Sequence, residues 1–129
     1  MILKFSKGDT KTHVYQVRPQ DTARFEAGEV HSVCSTFVLA REMEWAGRLF
    51  VLEMKEAEEE GIGTRIELKH RSPAAVGATL RFEAEYQGLE KEEILVQIRV
   101  FAENRLVAEG LTGQRIMPKE KIKELFSKI

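Results

Sequence analysis

The sequence predicts an α+β domain in which one long helix is wrapped by an antiparallel sheet of about five strands. Three observations lead there. From Ser35 to about Glu58 apolar residues are spread almost all round a helical wheel, which marks a helix buried on most sides. After it come four stretches with the strand pattern, two of them, Gly63 to His70 and Thr79 to Leu89, alternating apolar and polar. The connections between these stretches are mostly short, so the strands are expected to pair antiparallel.

The 129 residues fit one domain, residues 1–129, with a real core. A formal net charge of −1 gives no electrostatic footprint for nucleic acid. The single cysteine, Cys34, excludes an internal disulfide and suits a reducing compartment, so a cytoplasmic protein is expected. Met1 to Phe5 lacks the apolar region of a signal peptide, and no apolar run matches a bilayer. Charge is carried mostly by Glu, Lys and Arg, and Asn104 is the only Asn, a pattern seen in thermophiles.

Lys11 to Val17 reads as a first strand, closed by the turn residues Arg18-Pro19-Gln20-Asp21-Thr22. Ala23 to Cys34 shows no period and reads as a long ordered loop, placed to act as a lid. Ser32, Ser35 and Thr36 are candidate caps for the long helix. That helix is expected to fray into the acidic run Glu56 to Glu60, with Gly61 and Gly63 stopping it. In the strand Gly63 to His70, Thr64, Ile66, Leu68 and His70 share the inward face. Thr79 to Leu89 follows, with Leu80, Phe82, Ala84 and Tyr86 facing the core, and then Glu92 to Ala102, with Ile94, Val96, Ile98 and Val100. Leu95 and Phe101 lie on the other face and suggest a second buried surface. Leu106 to Met117 is the last strand, and Pro118 opens a short helix with an Ile122, Leu125, Phe126 and Ile129 stripe.

The chemistry gathers on the long helix. Thr36 and Glu44 are eight residues apart, roughly 12 Å along the axis. They share a face with Ala40, Met43 and Gly47, where small residues leave a shallow groove. Free N–H groups at the helix start suit a developing oxyanion on an ester or thioester. Two readings stand side by side: Thr36 and Glu44 serve a reaction, or Thr36 is a cap and Glu44 pairs with Arg41 or Arg48 at helical spacing. His70, inward at its strand end, is either a core residue or a partner of Glu44. Cys34 reads as a small buried hydrophobe. His13 and His31 lack metal-ligand spacing, and no zinc, calcium or phosphate-loop pattern occurs.

Ser35-Thr36-Phe37, Met43-Glu44-Trp45-Ala46, Gly63-Thr64 and His70 together resemble the hotdog-fold thioesterases, in particular the fluoroacetyl-CoA thioesterase-like group. Gly77 and Glu109-Gly110 fit as well, and the likeness runs from about Pro19 to Met117. The resemblance implies a hotdog fold, with sites at the interface of a homodimer; pairing of dimers into tetramers is left open. It implies hydrolysis of an acyl-CoA thioester with a small acyl group, with Thr36, Glu44 and His70 catalytic. Phe37, Ala40, Gly63 and Thr64 would line the substrate. Coenzyme A enters only as part of the substrate, and no metal or other cofactor, nucleic acid or membrane is implied. Two rivals are an acyl-CoA-binding protein without turnover and an enoyl-thioester hydratase. The chain departs from the family at Ala75-Val76, where a Thr-Pro usually precedes the glycine matching Gly77, and at Arg115, one position from a family arginine. Arg24 to Val33 shows no phenylalanine gate, so fluoroacetyl specificity does not carry over.

Overall fold

The computed structural model describes residues 1–129. The elements are β1 (Thr10–Gln16), a single 3-10 turn (Pro19–Asp21), β2 (Thr22–Phe25), β3 (Gly28–Cys34), α1 (Thr36–Met54), β4 (Glu59–His70), β5 (Thr79–Glu90), β6 (Glu93–Ala102), β7 (Arg105–Pro118) and α2 (Lys119–Phe126). Five strands form one antiparallel sheet in the order β1-β5-β6-β7-β4, which leaves β1 and β4 as its edges. No helix is long and apolar enough to cross a membrane.

α1 lies on one face of this sheet. The Ser35 hydroxyl caps it by accepting from the Val38 N–H at 3.0 Å. Val38, Leu39, Met43, Ala46, Gly47, Phe50, Val51 and Met54 form its buried stripe at helical spacing. They meet Leu80, Phe82, Ala84 and Tyr86 of β5 and Ile94, Val96, Ile98 and Val100 of β6, the faces expected from the alternation. Full burial of side chains such as Phe50 and Met43 contributes about 1.5–3 kcal/mol each. Gly47 lets the helix close onto β7, because a methyl group there would strike the Thr112 hydroxyl.

Four expectations need correction. α1 is not buried on most sides: Phe37 and Trp45 are 78% and 43% exposed, so one flank of the helix is bare. Its last turn ends at Met54, and the end of the acidic run, Glu59 and Glu60, enters β4 instead of fraying. Paired partners draw that run into the strand: Glu59 meets the Met1 amine at 2.7 Å and Glu60 meets Arg48 at 2.7 Å. The stretch Ala23 to Cys34 is a β2–β3 hairpin and not a loop. Its residues are mostly exposed on both faces and its register shifts twice, so no period of two marks it. Finally, Pro118 caps α2 from outside its first turn.

Candidate active site

β4 is an edge strand, and the bare flank of α1 runs beside it in the opposite direction. Thr36 stands opposite His70, and Glu44 stands opposite Gly63. Between the two elements lies a groove, open on the side where β4 has no strand neighbour.

At the start of α1 the Thr36 hydroxyl and His70 Nδ1 are 2.9 Å apart, joining the first turn of the helix to the last residue of β4. Ser35 performs the capping, so the Thr36 hydroxyl is free for this contact. His70 pairs with Ala108 and shares its face with Ile66 and Leu68, as the alternation required. Its other ring nitrogen, Nε2, is buried without a partner. A buried nitrogen of this kind carries a free-energy cost unless something bonds it.

Two turns further on, Glu44 is exposed to the groove and makes no ion pair. Its carboxylate rests against Gly63, where any side chain would collide with it. The helical pairings with Arg41 and Arg48 do not form. Arg41 gives Nε to Glu42 at 2.8 Å and Nη2 to the Tyr15 hydroxyl at 3.1 Å, while Arg48 gives Nη2 to Glu60 at 2.7 Å. Glu44 therefore opens onto a hollow of about 570 Å³ that it shares with Trp45, Arg48, Gly61 and Gly63.

The remaining expected residues divide. Ala40 is half-buried on the helix between Thr36 and Glu44. Phe37 is exposed and lines a second hollow with Phe25, Val30 and His31 of the hairpin. Thr64 does not share the inward face of Ile66. A bulge between Gly63 and Arg65 adds a residue to β4, so Thr64 points outward and donates its hydroxyl to Glu93 at 2.6 Å. Arg115 pairs with Glu92 at 2.5 Å on the surface. Burial pushes the Cys34 thiol up to about 11, with the charge of Asp21 adding to it, so this sulfur is no nucleophile at neutral pH.

Sequence reasoning missed Gln114. This side chain is 3% exposed, and its amide donates to the Glu44 carbonyl at 3.3 Å. Thr112 and Gln114 are polar at core-facing positions of β7, and that break in the pattern was the available signal. The buried Asp21 was missed as well, because its segment read only as a turn. Tyr15 and Arg18 donate to it at 2.5–3.1 Å. Burial pushes this carboxyl up, but the hydrogen bonds from Arg18 and Tyr15 outweigh that and hold it at about 2.

A long helix packed against an antiparallel sheet of five strands defines a hotdog-fold protein. The model of the fluoroacetyl-CoA-specific thioesterase family, FlK, matches residues 17–120, and the chain belongs to that family. A Thermus thermophilus protein described as a thioesterase superfamily member is 32% identical, with a TM-score of 0.93 over 98% of this chain and 94% of that one. A point mutant of FlK itself is 22% identical, with a TM-score of 0.87 over 98% of each chain. A hot-dog-like protein from Thermanaerovibrio acidaminovorans is 19% identical, with a TM-score of 0.87 over 96% of this chain and 92% of that one. These last two likenesses support the fold. No curated protein sequence matches the chain.

Proposed function

We propose that this protein hydrolyses acyl-CoA thioesters to the free acid and coenzyme A, with Glu44, Thr36 and His70 as its catalytic residues. Thioesterase chemistry follows from the family, and the layout of the groove supports the residue roles. Structures of FlK point mutants hold fluoroacetate and CoA in one case and acetyl-CoA in another, which supports a small acyl group here. The observation that carries the reading is the Thr36–His70 contact at one end of a groove whose other end holds an unpaired Glu44.

Hydrolysis needs an acceptor for a proton of water, or a nucleophile, and a donor for the leaving thiolate. Glu44 serves as the first. As general base it takes a proton from water while the water oxygen bonds to the acyl carbon. As nucleophile its carboxylate forms a transient anhydride, which water then opens. In both routes the C–S bond breaks and the thiolate gains a proton. When the Thr36 hydroxyl donates to Nδ1 of His70, the ring proton sits on Nε2, the nitrogen without a partner. That N–H is the donor to the departing thiolate or to the carbonyl oxygen of the thioester. The scheme uses no metal and no bound cofactor.

The same reading places two chains together. The free edge of β4 and the exposed Phe37, Trp45 and Leu52 on the bare flank of α1 support a homodimer that closes the groove.

The test is a panel of short acyl-CoAs assayed for released thiol, with Glu44→Gln and His70→Ala beside the wild type. Glu44→Gln should lose about 10²–10⁴ in kcat, the range for a general base, and His70→Ala should lose activity as well. Full activity in both variants, or no turnover by the wild type, would sink the proposal. Binding without turnover would favour a carrier, and loss of enoyl absorbance a hydratase.

A further inference from the structure

An arginine four residues after a glutamate on an exposed helix face ordinarily pairs with it. Arg48 stands in that relation to Glu44, and both line one hollow. Arg41, three residues before Glu44, is placed to do the same. Neither does so, and in each case another carboxylate holds the guanidinium. Glu60 of β4 takes Arg48 at 2.7 Å and is itself fixed by the Gly61 N–H at 2.9 Å. The Gly61 N–H, then Arg48, holds the Glu60 carboxyl below its ordinary range, so it stays charged at neutral pH. Glu42 takes Arg41 at 2.8 Å and is anchored on its other oxygen by His13 at 2.9 Å.

From this we infer that Glu60 is a positioning residue: it holds the Arg48 guanidinium off Glu44 and so keeps the reacting carboxylate unpaired. Glu42 does the same for Arg41 on the other side. The inference rests on the proposed role of Glu44. A carboxylate locked against a guanidinium is a weaker proton acceptor and a weaker nucleophile, since its lone pairs are engaged and its charge is offset. The proposed chemistry uses the Glu44 carboxylate on this turn, while the neighbouring arginines would quench it. The two extra carboxylates resolve that conflict without removing the arginines from the hollow.

Glu60→Gln releases Arg48 into the hollow it shares with the unpaired Glu44. We expect kcat to fall about fivefold with KM unchanged, the factor for an ion pair at the upper end of the exposed range. Added salt should restore part of the loss, because it screens the new pair. Glu60→Gln should slow turnover only while Arg48 is present, so the double variant Glu60→Gln/Arg48→Met should regain what Glu60→Gln lost and match Arg48→Met. A purely structural role for Glu60 predicts no such rescue. The inference is overturned if Glu60→Gln matches the wild type, or if the double variant stays as slow as Glu60→Gln. If Glu60→Gln does not fold, Glu60→Ala and Glu60→Ala/Arg48→Met take the place of the Gln pair: a slow Ala variant restored by Arg48→Met supports the inference, and an Ala variant equal to the wild type or left unrestored overturns it. An active Glu44→Gln would instead remove the proposed function beneath it.

Discussion

At the scale of single residues, the site depends on what is missing as much as on what is present. Gly63 has no side chain, and the Glu44 carboxylate occupies the space one would fill. Gly63→Ala is therefore expected to displace the carboxylate while leaving an exposed strand position otherwise intact. A misplacement near 1 Å costs on the order of 100-fold in rate, so kcat should drop by about that factor with little change in melting temperature. Steady-state kinetics and a thermal melt check the two halves. Cys34 gives a contrasting expectation. It is buried and its thiol is pushed up to about 11, so alkylation at neutral pH should leave the folded protein unmodified and fully active. Intact mass after iodoacetamide treatment would reveal an error.

At the scale of elements, the β2–β3 hairpin is held to the start of α1 by Asp21. Its carboxylate binds Arg18 and Tyr15, and its carbonyl accepts from the Ser35 N–H at 2.9 Å. The Asp21 carboxyl is depressed to about 2 in the fold, so its contribution is present above the ordinary carboxyl value and is lost as pH falls through about 2. Asp21→Asn should cost at most roughly 2 kcal/mol near neutrality. The gap between wild type and variant should narrow between about pH 4 and pH 2. Melts across that range test both the size and the sign. Legibility in the sequence also divides by element. β5 and β6 each bury one face, and their alternation was read correctly to within a residue or two. The hairpin buries little on either face, so its residues carried no period to read.

At the scale of the whole molecule, the groove between α1 and β4 is open along a free sheet edge, and a second chain is the expected cover. Sedimentation equilibrium should return twice the chain mass. Ile66 lies on the inner face of β4 and is 46% exposed, and Ile66→Glu should shift the protein toward monomer and lower activity together. A fully active monomer would break the link between assembly and site. The sequence by itself determined the layer arrangement, because hydrophobic period decides which faces can be buried. Together with the family motif, it also named Thr36, Glu44 and His70. It could not decide whether Glu44 was paired. Local spacing offered Arg41 and Arg48, and their actual partners, Glu42 beside His13 and Glu60 at the start of β4, are chosen by tertiary contacts. Nor could it place Thr64, since a bulged residue drops out of the alternation that Ile66, Leu68 and His70 keep and leaves no mark in composition. Pairing and facing are settled by which elements meet, and the free carboxylate in the groove is a product of that meeting.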